Sequence, residues 1–276
     1  MSDSKTHSEL LIEVKNLSVK FDKFVAVDNI SFSVRSGEVL GLLGSNGAGK
    51  STTLKVLGGI LRPAEGNIRI KGYDIKKSSE ANKAKASTGY CPDVGGLITG
   101  ATPREHVKLL LTLHNKSNLY EQGLNLINMF GLSDFMDTPS SGFSHGMSRR
   151  LSVALATLAS AGSKNVLILD EPFDGVDPIG VDAINEVIRQ AKEKGVAIIV
   201  STHLQDLLVN VADNIIVMKK SKIMAAEPSN HFKGEKGRKH YQQILSQPDN
   251  KIESNVSLLS KIKKKFLNTI NKNSEI

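Results

Sequence analysis

The chain has 276 residues, of which 39% are hydrophobic and 23% charged, with a single cysteine and a formal net charge of +8. That length and composition suit a globular protein built on one large α/β domain with an appendage, and one cysteine excludes an internal disulfide framework. From Ser229 onward there are ten basic and four acidic residues, which leaves only +2 for the first 228, so the basicity does not point to a nucleic-acid-binding core.

Met1 to Glu9 is polar and lacks the apolar segment of a signal peptide. No apolar run approaches the roughly 20 residues needed to cross a bilayer. A cytosolic protein is expected, one that can sit on a membrane through partners. From Leu11 to about Val34 the pattern alternates, with Leu11–Lys15, Leu17–Phe21 and Ile30–Val34 reading as half-buried strands and Asp22-Lys23 as a turn. Ile68–Gly72 adds a strand to this small antiparallel layer.

Between these strands lies Val39-Leu40-Gly41-Leu42-Leu43, an apolar run followed by Gly44-Ser45-Asn46-Gly47-Ala48-Gly49-Lys50-Ser51-Thr52 and a helical pattern from near Thr53. Buried strand, glycine-rich turn and helix form the context that a phosphate-binding loop of the form G-x-x-x-x-G-K-[ST] requires. Glycines let backbone N–H groups converge on an anion, and the helix behind them directs its N-terminal dipole to the same point. Lys50 is expected to reach the β- and γ-phosphates of a nucleoside triphosphate, and the Ser51 hydroxyl to bind Mg²⁺.

Ser87–Pro92 reads as a short strand ended by proline, followed by a loop with Gly95, Gly96 and Gly100. Thr102-Pro103-Arg104-Glu105 is a helix start, with Thr102 as N-cap, Pro103 in the first position and Glu105 closing a capping box. A second helical stretch runs from about Leu119 through Phe130, so residues 100 to 160 read as a mostly helical insertion.

Asn165-Val166-Leu167-Ile168-Leu169-Asp170-Glu171-Pro172 is a continuous apolar run ending in two carboxylates. Such a run marks a parallel strand covered on both faces. Asp177-Pro178 then opens a helix carrying Val181, Ile184, Val187 and Ile188, and Val196–Val200 is a second buried strand ending at Ser201-Thr202-His203. Strands alternating with helices predict a parallel α/β sheet with its ligand groups at the carboxyl ends of the strands. Beside a phosphate loop, Asp170 is the candidate Mg²⁺ ligand and Glu171 the candidate base for the attacking water. His203, at the next strand end, is the candidate to contact the γ-phosphate or to orient Glu171.

Over about residues 11–226 the sequence resembles the ATP-binding subunit of an ABC transporter. Phe143-Ser144-His145-Gly146-Met147 corresponds to the family's L-S-G-G-Q signature, Val166–Asp170 to its Walker B strand with Glu171 as catalytic glutamate, Asp174–Asp177 to its D-loop and His203 to its switch histidine. Phe21 corresponds to the adenine-stacking aromatic, with Phe24 as the competing choice. The resemblance implies a P-loop NTPase (RecA-like) parallel sheet with a small antiparallel β layer and a helical subdomain at about 97–160. Residues 1–228 would form the ATP-binding domain, and 229–276 a basic tail.

It also implies ATP and Mg²⁺, with the loop 44–52, Phe21 and the signature residues Ser144, His145, Gly146 and Met147 around the nucleotide. In the family two such domains pair head to tail, each signature closing over ATP held by the other's loop. A second copy or a paralogue is therefore an expected partner, together with membrane-spanning permease subunits at the cytoplasmic face of the cell membrane. Met147–Leu151 and the Gly89–Pro92 strand look most like the drug- and lipid-exporter (ABC-2-type) subgroup. The expected contact for membrane subunits is the loop from Asp93 to Pro103 with the helices after it.

Two positions depart from the family pattern. Asp93 stands where a Mg²⁺-binding glutamine is usual, and a carboxylate there is shorter and charged. His145 replaces the first signature glycine; its imidazole either points away from the phosphates or adds positive charge near them. In the tail, Leu258, Leu259, Ile262, Phe266 and Ile270 share one helical face beside Lys261, Lys263, Lys264 and Lys265. Such a helix can lie on anionic lipid, dock on its own domain or fray. Two other functions remain open at this point, a soluble ABC ATPase acting on ribosomes or DNA and a regulatory module that binds nucleotide without turnover. One chain with one loop and no long coiled-coil insertion counts against the first, and intact Lys50, Asp170, Glu171 and His203 against the second.

Overall fold

A computed structural model describes residues 9–247. In chain order its elements are β1 (Leu10–Phe21), β2 (Phe24–Arg35), β3 (Val39–Leu43), α1 (Lys50–Leu57), β4 (Glu65–Ile70), β5 (Tyr73–Asp74), α2 (Ser78–Ala86), β6 (Thr88–Cys91), α3 (Pro103–Leu113), α4 (Tyr120–Met129), α5 (His145–Ala159), β7 (Val166–Asp170), α6 (Pro178–Glu193), β8 (Ala197–Thr202), α7 (Gln205–Val211), β9 (Asn214–Lys219), β10 (Lys222–Pro228) and α8 (Gly234–Ser246). The strands form two sheets. One is antiparallel in the order β2-β1-β4-β5, and the other runs β10-β9-β3-β8-β7-β6. Its inner pairings are parallel, and only β10 on β9 is antiparallel.

Alternation along the parallel strands explains why both faces are apolar. Val39 and Leu43, Leu167 and Leu169, and Ile198 and Val200 enter one core with α3 to α6. Leu40 and Leu42, Val166 and Ile168, and Ala197 and Ile199 enter a second core, shared with α1 and the antiparallel layer. A strand with period-two side chains and a covering layer on each face has no position for a polar residue until it leaves the sheet. That is where Asp170 and Glu171 stand.

The α/β fold with a parallel sheet, antiparallel layer and helical segment agrees with the sequence reading, with differences in detail. The two short strands 11–15 and 17–21 are one, β1, bulged where Asn16 adopts φ +53° and donates its N–H to Ser31 Oγ at 2.8 Å. The capping box at Thr102 is formed as expected, Thr102 Oγ1 accepting from Glu105 N–H and Glu105 Oε2 from Thr102 N–H. α1 begins at Lys50, a turn earlier than Thr53, because Gly49 at φ +104° is its N-cap.

Residues beyond the boundary expected at 228 pack on the core of the sheet. Phe232 is fully buried and Ile244 nearly so, both in the core under the sheet. Gln205 Nε2 donates to Phe232 O at 2.7 Å and Lys219 Nζ to Leu245 O at 2.6 Å, so residues 229–247 belong to the same body. The amphipathic stretch from Leu258 to Ile270 lies outside the described residues. Among the described residues no helix is long and apolar enough to cross a membrane.

Candidate nucleotide-binding and hydrolysis site

The loop 44–52 leaves the carboxyl end of β3 and turns into α1. Gly49 requires its residue type twice over, by its positive φ and because a Cβ would lie 2.6 Å from the Ala26 carbonyl oxygen. Inside the loop the buried Lys50 ammonium donates to Gly44 O at 2.8 Å and lies 3.3 Å from Ser45 O. It also pairs with Glu171 Oε1 at 3.2 Å. The α1 N-terminus and the loop amides thus frame an anion site that already contains its cation.

β7 and β8 bring the remaining groups to the same edge. Asp170 Oδ1 accepts from Ser51 Oγ at 3.1 Å and from Ser201 Oγ at 2.5 Å. Asp170 Oδ2 is buried without a hydrogen-bond partner, and burial pushes this carboxyl above its ordinary range. A buried, unpartnered carboxylate oxygen beside a serine hydroxyl is an oxygen donor set that suits a small hard cation such as Mg²⁺.

Glu171 follows with φ +47°, a left-handed backbone that a residue with a Cβ adopts at a cost of about 1–3 kcal/mol. Its N–H is held by Ser201, through O at 3.1 Å and Oγ at 3.2 Å. This turn aims the nearly buried carboxylate back at the loop, where His203 meets Oε2 through Nδ1 at 3.1 Å and through its backbone N–H at 3.3 Å. Lys50, Ser51, Asp170, Glu171 and His203, scattered over 154 positions of chain, are therefore one contiguous group.

The signature residues are engaged elsewhere. Ser144 caps α5, its Oγ accepting from Met147 N–H at 3.2 Å, while the Met147 side chain packs on the core beneath. Met147, expected at the nucleotide, has both its N–H and its side chain occupied within its own chain. His145 Nε2 lies 3.2 Å from Asp174 Oδ2, so its imidazole faces the loop after β7. A Cβ on Gly146 would lie 2.6 Å from Gly175 O, so this glycine is required for contact with that same loop as well as for any approach of phosphate. Phe21 stands at the β1–β2 hairpin about half exposed, beside the more exposed Phe24.

Asp93, expected to ligate the metal, turns its carboxylate to Arg149 at 3.4 Å. Arg149 is buried, a placement that its position in the subgroup motif does not reveal. Its guanidinium donates to Pro92 O at 2.7 Å and to Asp93 O, and reaches Asp170 O at 3.4 Å. One side chain on α5 thereby joins the end of β6 to the end of β7. The sequence signal for it is its spacing with Ser152, Val153 and Ala156, a second buried stripe of small residues on α5. Ser201, at the end of β8, holds both carboxylate residues, which its place as a strand end does not reveal. Cys91, next to Pro92, is fully buried and its thiol is pushed up to about 12 by burial, which removes it from thiolate chemistry.

A parallel sheet with a G-x-x-x-x-G-K-[ST] loop at one strand end and an acidic pair at another defines a P-loop nucleotide-binding protein. Residues 27–174 match the family model described as ABC transporter. The chain is 32% identical over 232 residues to the Escherichia coli (strain K12) probable multidrug ABC transporter ATP-binding protein YbhF, covering 83% of this chain and 39% of that protein. It is 30% identical over 240 residues to the bacitracin transport ATP-binding protein BcrA of Bacillus licheniformis, covering 86% of this chain and 75% of BcrA. A solved ATP-binding subunit of an ABC transporter superposes with a TM-score of 0.77 at 28% identity, covering 86% of this chain and all of that one. The chain belongs to the ABC transporter family, as an ATP-binding cassette. It spans well under two thirds of YbhF.

Proposed function

We propose that this cassette hydrolyses ATP to power an exporter whose membrane-spanning permease is made of separate subunits, in the ABC-2-type drug and lipid subgroup. The observation that carries the reading is the Glu171 carboxylate, nearly buried and held between the Lys50 ammonium and the His203 imidazole. In this reading the triphosphate draws Lys50 toward its β- and γ-oxygens and away from Glu171. The freed carboxylate takes the proton of the water that attacks the γ-phosphorus, and His203 keeps it oriented. Ser51 and Asp170 hold Mg²⁺, which when bound offsets charge on the phosphates. Phe21 stacks on the base, and the loop amides from Gly44 to Thr52 cradle the phosphates.

Two cassettes, of this chain or of a paralogue, close head to tail so that Ser144 and Gly146 of one cap the nucleotide of the other. The shared body of residues 9–247, with its helical segment at about 97–160, acts as one ATP-binding domain. The surface for the permease is a groove of about 300 Å³ among Tyr90, Pro92, Ile98, Leu109, Leu113 and Leu155, of which Ile98, Leu109 and Leu113 are exposed. Apolar side chains left open beside the hydrolytic site suit a membrane subunit better than ribosome or DNA. The cassette would thus sit at the cytoplasmic face of the cell membrane.

The test is Glu171→Gln in the full chain. ATPase activity is expected to fall by about 10²-fold or more, the usual share of a general base, with ATP binding retained and a cassette dimer trapped. Undiminished turnover would overturn the assignment. Purification from membranes should bring down a multi-span permease; ribosomal proteins or DNA in its place would overturn the transport reading.

A further inference from the structure

Glu227 near the end of β10, His231 in the short turn Ser229–Phe232 and His240 on α8 bring one ligand atom each to within 4.8 Å of the others. The two imidazoles aim at a single atom, Glu227 Oε2, from His231 Nδ1 at 2.6 Å and His240 Nε2 at 3.1 Å. All three side chains are partly shielded, at 24% to 38% exposure, which leaves one side open to water. The His240 ring is set against the fully buried Phe232 with centroids 5.5 Å apart, and the two imidazoles meet edge to face at 6.4 Å. Packing therefore fixes the orientation of the ring that a ligand would use.

We propose that Glu227, His231 and His240 form a zinc site that ties α8 to β10. Two imidazole nitrogens and one carboxylate oxygen, with room for a water, make the four-coordinate N/O set that Zn²⁺ takes. Mg²⁺ and Ca²⁺ demand oxygen donors, so this pair of imidazoles selects a borderline transition ion against the cation of the nucleotide site. Binding needs a change of tautomer and an outward shift of the Glu227 carboxylate. Ligand atoms about 2.0 Å from a tetrahedral zinc stand about 3.3 Å apart, and His231 Nδ1 now lies 2.6 Å from Glu227 Oε2. The nitrogens that now face Glu227 present lone pairs to the metal, and each neutral ring carries its proton on the other nitrogen. Because α8 lies beyond the strands of the sheet and buries Ile244 in the core, a metal bond between Glu227 and His240 cross-links α8 to the rest of the domain.

The test is calorimetric titration of the full chain with Zn²⁺ in a Mg²⁺ buffer. It is expected to give one zinc per chain and a Tm rise of about 5 °C at saturation, with Co²⁺ producing a visible ligand-field band in its place. In His231→Ala/His240→Ala the site and the Tm rise should be lost. Since removal of the His240 ring also unpacks Phe232, Glu227→Gln is the second arm. It keeps an acceptor for both rings, so its metal-free Tm should stay within about 2 °C while zinc affinity drops at least about tenfold. No zinc bound by the wild type at about 100 µM would overturn the site. Equal zinc binding by the wild type and either variant would overturn it as well.

Discussion

The Lys50 ammonium and the Glu171 carboxylate form an ion pair at 3.2 Å with both side chains nine-tenths or more out of solvent. Buried pairs of this kind are felt most when one member is removed, because the other is left charged and alone at a cost of about 3–5 kcal/mol. Lys50→Ala should therefore lower the Tm of the nucleotide-free protein by roughly 6–20 °C as well as abolish ATP binding. Glu171→Gln in the Lys50→Ala background should recover part of that loss. Thermal melts of the four proteins of this cycle measure the coupling; strictly additive melts would show the pair contributes nothing.

Asp170 illustrates a site held at the expense of stability. Its carboxyl is pushed above the ordinary carboxylate range by burial, so the ionised form disfavours the folded state at neutral pH. That cost is full above the folded pKa and vanishes below the unfolded value. Asp170→Asn keeps acceptance from Ser51 and Ser201 and removes the charge. Its Tm should exceed that of the wild type by a few degrees at pH 7–8, and the two should converge below about pH 4. Mg²⁺-dependent ATPase should be lost in the same protein. A variant less stable than the wild type at pH 8 would refute the account.

Arg149 joins Pro92, Asp93 and Asp170 through three carbonyl oxygens, and its fork cannot be reproduced by a lysine. Arg149→Lys should destabilise the chain by about 2 kcal/mol, a fall in Tm of roughly 4–8 °C. Asp93→Gln is expected to change ATPase activity less than about tenfold, a barrier change of about 1.4 kcal/mol, because the anchoring contact is the Asp93 backbone carbonyl. A larger gain in turnover would identify the native loop as impaired.

Gly146→Ala should weaken ATPase activity while leaving ATP binding by the isolated chain intact, because the added Cβ meets Gly175 O and displaces the loop that the signature rests on. Nucleotide binding and concentration-dependent ATPase assays separate the two effects. Specific activity that does not change with concentration in a strictly monomeric protein would rule out the composite site.

The loop 44–52, the strand ends at Asp170 and His203 and the caps at Thr102 and Asp177 are legible in the sequence because each is a local pattern. Strand period, glycine spacing and cap chemistry are set by neighbours a few residues apart. α2 escapes such a reading because only Ala84 of its residues is buried, which leaves no apolar stripe. Residues 205–247 carry no motif, and the tail boundary at 228 followed charge, which describes surface and does not report the burial of Phe232 and Ile244.

By itself, then, the sequence determines the fold class, the phosphate loop, the acidic pair and the ABC resemblance, all of them written in short-range spacing. Only the tertiary structure decides that Lys50 meets Glu171 and that Ser201 holds Asp170. It alone turns Arg149 inward onto three carbonyls and brings Glu227, His231 and His240 to one point. Those relations join residues from separate strands and helices, and their partners are chosen by sheet order and packing, for which a linear pattern carries no term.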